Sequence, residues 1–359
     1  MNSTNKISYL ESLRGIAAII VAISHLHINS FFHNEITRNS GLMVDFFFLL
    51  SGFVISLNYQ DKIFTFKDIL SFQIKRFFRL YPLHIFILLL FLLVEIGKYF
   101  AEVYAGITFN NDPFSSNNFS NFIQNIFLVH GFYENGISWN GPSWSISNEF
   151  YTYAVFGIIV FFFRGNAIKI SLISIFFIIS SAYFLYEDKV FSSFFLRCML
   201  SFFLGVCVHN LKESLQFKLP NLVSYLFFLI SLYLIYNSND SDSHLLIYFV
   251  FAVFLFSLVN SYKYNLIKRA LNQKFLIFLG TISYSIYLLH SLLWILYVNG
   301  LKLLFGFNSS YNDSEYLDLV IENNMHANII MFIGLVVLVL LSSLSYRYIE
   351  VYFNFTLKR

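Results

Sequence analysis

The sequence predicts an all-α integral membrane bundle of about ten transmembrane helices plus one short re-entrant or interfacial helix, with both termini cytoplasmic. Three observations carry that expectation. Of 359 residues, 57% are hydrophobic and 12% charged, with a mean hydropathy of +0.66; soluble chains carry about 25% charged residues. Ten apolar stretches reach or approach the ~20 residues that cross a bilayer core. Lys and Arg are sharply asymmetric. With the N-terminus inside, eighteen fall in inside segments and four in outside ones, and Arg197 lies within a span. An excess of that kind sets cytoplasmic sides.

The stretches lie at about 10–30, 42–58, 80–98, 143–163, 169–186, 190–209, 221–237, 244–260, 275–299 and 327–349. An eleventh, NFIQNIFLVHGF at 121–132, is short and interrupted by Gln124, Asn125 and His130, which suits a re-entrant or interfacial helix. No small-residue cleavage site follows the first stretch, so it reads as a retained span and not a signal peptide. Two outer loops run acidic and Asn-rich, SNDSDS at 238–243 and YNDSEYLD at 311–318. No internal repeat or linker divides the chain, so one domain is expected. The net charge of +3 is too small to point to nucleic acid. Cys198 and Cys207 are nine residues apart on one helix, ~13 Å, beyond disulfide reach, and no cysteine spacing offers a metal site.

Orientation gives each intramembrane polar residue a depth. In SLRGIAAIIVAISHLHI, Arg14 and His25 are eleven residues apart, which returns a helix to within ~20° and climbs ~16 Å. They share one face, Arg14 near the cytoplasmic end and His25 near the outer end; His27 points almost oppositely. Asp45 lies near the outer start of its span and Glu149 about two turns into GPSWSISNEFYTY. His290 falls in the outer half of the ninth stretch. Ser283, Tyr287 and His290 form one polar stripe; Ser145, Glu149 and Tyr153 form another. Four ionisable groups from four spans thus fall in one outer layer. Each costs a few kcal/mol to bury alone, so they are expected to face one another or water, with interhelical polar contact as the simpler alternative. His27 and His130 share neither face nor depth with them and read as structural.

On the cytoplasmic side, KRFFRLYP places Lys75, Arg76 and Arg79 before a span. Topology alone accounts for such charges, but Arg76 and Arg79 share a helix face, and arginine suits bidentate phosphate binding. Both readings stay open from the residues.

These stretches resemble the acyltransferase family 3 membrane enzymes. R-x10-H (Arg14, His25), VDFFFLLSGFVIS, RFFRLYP, GPSWSISNE, the FFLG of 202–205 and ISYSIYLLH occur in the family's order. The likeness runs from about residue 8 to 350, and a single transmembrane acyltransferase domain with no appended soluble domain is expected over 8–350. One departure is the last stretch, SYRYIEVYF, where relatives usually place a proline soon after the residue matching Glu350. The resemblance implies transfer of an acyl group, commonly acetyl, from cytoplasmic acyl-CoA to a carbohydrate hydroxyl at the outer face. It implies a catalytic role for His25, a donor-side role for Arg14, and functional roles for Arg76, Arg79 and the segment from Trp144 and Ser145 to Glu149.

The expected site follows. His25 is the general base, with Glu149 or Asp45 orienting it. Arg14, Lys75, Arg76 and Arg79 hold the CoA phosphates, and Trp144, Ser145, Tyr287 and His290 serve the acceptor or the oxyanion. No metal or permanently bound cofactor is expected; acetyl-CoA is the donor substrate, a carbohydrate the acceptor and the lipid bilayer the surroundings, with no nucleic acid partner. The expected location is a bacterial inner membrane, and the expected modification is O-acetylation of a polysaccharide or a small glycoside. The competing class is a transporter or flippase of a glycan or small solute, with the carboxylates and histidines as a proton relay; inverted repeats would favour it, and none is evident. A binding module with a decayed site is a further alternative, which the intact charged motifs disfavour.

Overall fold

The computed structural model describes residues 7–107, 109, 111–133, 137–187, 193–215, 217–238, 243–307, 309–311, 317–321 and 323–356. The acidic segments at 239–242 and 312–316 lie outside these residues. In chain order the helices are α1 (Ser8–Ser24), α2 (Glu35–Arg38), α3 (Gly41–Tyr59), α4 (Phe66–Ala105), α5 (Phe119–Ile126), α6 (Trp144–Phe163), α7 (Ala167–Glu187), α8 (Ser193–Ser214), α9 (Asn221–Tyr236), α10 (Ser243–Asn260), α11 (Leu266–Leu271), α12 (Lys274–Thr281), α13 (Ser283–Phe305), α14 (Asn324–Ser345) and α15 (Val351–Thr356). Two three-residue strands, β1 (Ser309–Tyr311) and β2 (Leu317–Leu319), pair antiparallel before α14.

Each of the ten apolar stretches contains helix, but the first, expected over 10–30, is helical only to Ser24, so His25 caps it and His27 lies beyond it. Among the described residues, seven helical segments are long and apolar enough to cross a membrane: Gly41–Lys62, Phe66–Ala105, Gly141–Phe163, Ala167–Leu185, Ser193–Ser214, Ser283–Phe305 and Asn324–Phe353. The remaining stretches form shorter helices: α1 has 17 residues and α9 16. The 121–132 stretch forms the eight-residue α5 and a single 3₁₀ turn, His130–Phe132.

Two elements differ from the simple reading. The 275–299 stretch breaks at Ile282, so α12 packs along α1 while α13 packs against α1, α4 and α14. Gly280 permits this: a Cβ there would collide with the Glu11 carbonyl, and one on Gly15 would lie 2.5 Å from the Gly280 nitrogen. The 80–98 stretch is the middle of the 40-residue α4, ~60 Å long. Thr65 caps that helix reciprocally with Asp68, whose carboxylate accepts from the Thr65 N–H at 2.9 Å. Gly106, at φ 64°, ends it in the left-handed conformation. RFFRLYP is therefore helix throughout, and the helix continues past Pro82.

The centre of the bundle is α3 against α8, both buried over most of their length. Gly52 faces the Phe202 carbonyl and Gly205 faces the Leu49 carbonyl, each so closely that a Cβ would collide. Without a hydrophobic drive between helices in lipid, this approach of small residues brings backbones into contact. Peripheral helices turn Ile, Leu and Phe outward, as in Ile168, Leu172 and Ile179 of α7.

The bundle has two recognisable ends. At one, the Ser24 and Ser40 hydroxyls meet at 2.6 Å, joining the end of α1 to the start of α3; this is the His25 end. At the other, Ser12 Oγ donates to the Leu271 carbonyl at 2.6 Å and Ser8 Oγ to Asn272 Oδ1 at 2.6 Å, pinning α1 to α11.

Candidate active site

Between the ends lies a small, partly open cavity of about 40 Å³ lined by Arg14 of α1, Val44, Phe47 and Phe48 of α3, Ser145, Ile146 and Glu149 of α6, and Ser283, Tyr284 and Tyr287 of α13. Four helices that the sequence could only rank by depth thus converge on one space. Its polar lining is one guanidinium, one carboxylate and four hydroxyls.

Arg14 is the cation of this wall. Among the described residues it makes no hydrogen bond or ion pair, and its Nε is buried without a partner. A half-buried guanidinium with an unpartnered nitrogen is costly to leave unpaired, so the cavity is set to receive an anionic or strongly accepting group. Glu149 is engaged differently: its Oε1 accepts from Ser51 Oγ and from Tyr153 OH, each at 2.5 Å. The 145–149–153 stripe on α6 carries this arrangement. Ser51, a hydroxyl inside the apolar run VDFFFLLSGFVIS, is its third member and was not singled out by sequence reasoning.

The α13 stripe forms a ladder. Tyr284 OH donates to the Leu80 carbonyl at 2.5 Å. One turn on, Tyr287 OH donates to the Pro142 carbonyl and accepts from Ser145 Oγ, both at 2.9 Å. Pro142 opens the 3₁₀ turn Gly141–Ser143 that starts α6, so this bond ties the mouth of α6 to α13. His290 follows, fully buried, its ring 5.9 Å from Tyr287 and 5.0 Å from His25. Neither of its ring nitrogens reaches a well-formed hydrogen bond.

His25 caps α1 and is exposed. Its Nδ1 lies 2.8 Å from the Val21 carbonyl. A carbonyl can only accept, so Nδ1 carries the hydrogen and Nε2 keeps its lone pair. The orienting partner is thus backbone, and neither candidate carboxylate takes that place. Asp45 is fully buried and pairs with Arg197, which donates through Nε at 3.1 Å and Nη2 at 2.8 Å. His25 does not line the cavity; His290 touches His25 on one side and Tyr287, a lining residue, on the other.

The basic cluster separates in the same way. Lys75 is exposed. Arg76 donates to Tyr59 OH at 3.0 Å and lies 5.1 Å from the centre of that ring. Arg79 is drawn into an ion pair with the buried Glu350, and Tyr284 lies 5.3 Å from its guanidinium. Ser285 Oγ donates to the other Glu350 oxygen at 2.5 Å. With no proline after Glu350, the chain continues through the π-helical turn Tyr346–Glu350 into α15. Among the described residues, no three His, Cys, Asp or Glu side chains gather as a metal ion would require.

An apolar bundle enclosing an unpaired arginine, a carboxylate and a histidine end defines a polytopic membrane protein with an internal polar site. The acyltransferase family 3 profile, described as an acyltransferase domain, matches residues 7–347, and the chain belongs to that family. It is also similar to "Protein 2 in picA locus" of Rhizobium radiobacter, at 40% identity over 82 residues, 23% of this chain and 41% of the relative. The chain thus matches less than half the length of that relative. No solved structure matches.

Proposed function

We propose that this membrane acyltransferase transfers an acetyl group from acetyl-CoA, admitted at the Arg14 end, to a hydroxyl of a carbohydrate held at the His25 end. On this reading the helices make ten crossings with both termini in the cytoplasm of a bacterium, and the His25 end faces away from it. The observation that carries the proposal is the pairing of an unpartnered Arg14 in the cavity with a His25 whose Nε2 is left basic.

The steps balance with this chain's residues alone. His25 Nε2 accepts the proton of the acceptor hydroxyl while its oxygen attacks the thioester carbon. The carbonyl pair moves onto oxygen and returns as the carbon–sulfur bond breaks. The departing CoA thiolate takes the proton from the imidazolium, leaving an acetyl ester and CoA thiol. Arg14 suits the donor's carbonyl or phosphate oxygens. Lys75 and Arg76 are disposed for phosphate nearer the opposite end, whereas Arg79 serves this role only if it exchanges Glu350 for a phosphate. Trp144, Ser145, Tyr287 and His290 line the route between thioester and acceptor, and a turn of the Tyr287 and His290 side chains would join the cavity to His25.

Radiolabelled acetyl-CoA and candidate glycans, presented to purified protein in vesicles, test the reading. Label on the glycan, lost in His25→Ala while acetyl-CoA still binds, supports it. Retained transfer in that variant removes the proposed base, and glycan movement without label returns the chain to the transporter class.

A further inference from the structure

Arg197 lies on α8, a helix that contributes nothing to the cavity lining, yet it makes some of the most directional polar contacts at the His25 end. Its Nε and Nη2 grip both oxygens of the fully buried Asp45 at 3.1 and 2.8 Å, and Nη2 also donates to the Gly41 carbonyl at 3.1 Å. Tyr248 of α10 lies within hydrogen-bonding reach of both partners. The guanidinium carbon lies 5.7 Å from the centre of the Trp144 ring. That indole is further confined by Phe194, stacked at 4.4 Å, and by Phe48, edge-on at 6.0 Å. Phe48 lines the cavity, as does Ser145, the residue after Trp144.

We propose that Arg197, held by Asp45, is a positioning residue that fixes the Trp144 indole and, through its contact with Phe48 and its neighbour Ser145, the His25-end wall of the cavity. The consequence for catalysis rests on the acyl-transfer reading: this wall is where the acceptor is seated.

The chemistry favours this particular residue. An arginine fork binds both carboxylate oxygens in one plane, and the same plane can lie against an aromatic ring; a lysine ammonium does neither. Asp45 neutralises the charge, so the guanidinium reaches membrane depth paired. Arg197 bridges the two groups, gripping Asp45 on one side and lying over the Trp144 ring on the other. That bridge distinguishes positioning from simple packing: changing the carboxylate, which is not itself a lining residue, should move the tryptophan.

The experiment uses the full chain labelled with 5-fluorotryptophan. Its three tryptophans, Trp139, Trp144 and Trp294, give three fluorine resonances, and Trp144→Phe identifies the one of interest. Asp45→Asn and Arg197→Lys should each shift or broaden the Trp144 resonance while those of Trp139 and Trp294 hold. A Trp144 resonance unmoved in both variants overturns the proposal. A variant that fails to fold disturbs all three together. The double variant Asp45→Asn/Arg197→Gln, which leaves no unpaired charge, then decides by the same signal. Turnover is read with octyl β-D-glucoside as the hydroxyl probe. Arg197→Lys should raise the KM for the glucoside about tenfold, the range of one cation–π contact, with the KM for acetyl-CoA unchanged. Equal change in both constants, or in kcat alone, argues for a structural role instead. If the glucoside accepts no acetyl group even in the unaltered protein, the acceptor reading fails on this probe while the fluorine result still judges Arg197.

Discussion

His25 and His290 meet ring to ring, their centroids 5.0 Å apart and their planes tilted by 54°, the first exposed and the second fully buried. The contact makes His290 the only ring in the described structure that touches both His25 and the cavity-lining Tyr287. A base at the surface is thereby connected to the polar cavity through one side chain, that of His290.

That relationship predicts non-additivity. His25→Ala should lower kcat about 10²–10⁴-fold, the usual worth of a positioned proton acceptor, and His290→Ala should lower it less. Because the two rings act together, the double variant should be scarcely worse than His25→Ala alone. Single-turnover kinetics with labelled acetyl-CoA measure this, and strictly multiplicative losses would show that the contact is incidental.

Arg14 makes a separate prediction. Among the described residues it has no partner to lose, so Arg14→Gln should leave thermal stability within about 0.5 kcal/mol or improve it, since a half-buried unpaired charge is removed. The KM for acetyl-CoA should rise about 10–100-fold, the worth of a charge-assisted hydrogen bond of about 1.5–3 kcal/mol. A large fall in stability with an unchanged KM would place Arg14 in the scaffold.

Arg79 should behave in the opposite sense. Arg79→Met leaves Glu350 buried without its cation, a change that costs about 3–5 kcal/mol, and should lower the melting temperature. Arg79→Met/Glu350→Met removes both charges and should recover most of the loss. Acetyl-CoA affinity in that stable double variant then reports whether Arg79 also binds donor: unchanged affinity assigns it to holding α4 against the end of α14.

Gly205→Ala tests the centre of the bundle. Its added methyl would strike the Leu49 carbonyl on α3, and backbone cannot yield as a side-chain end can. A loss of about 1–3 kcal/mol or more is expected, read as a lower yield of monodisperse protein in detergent. Gly300→Ala on α13, where nothing lies within 4 Å, is the control and should be neutral or slightly stabilising.

Much of this was legible in the chain. Apolar length located the helices, and 3.6-residue spacing put Ser145, Glu149 and Tyr153 on one face and Ser283, Tyr287 and His290 on another, as the cavity and its neighbours show. Depth was legible as well: His25 and His290 were placed in one layer and are in contact. Pairing was not. Asp45 and Arg79 look like free functional charges in one dimension, and each proved to have a partner far along the chain, Arg197 and Glu350. Ser51 gave only the weak signal of a hydroxyl in an apolar run.

Composition and periodicity by themselves determined that this chain forms membrane-length helices and which side chains share each helix face, because both are set within a few consecutive residues. Only the tertiary structure decided which charges neutralise one another and which, like Arg14, stand unpaired in a cavity. Those outcomes depend on distances between separate helices, and the small residues that let particular backbones touch decide which helices meet.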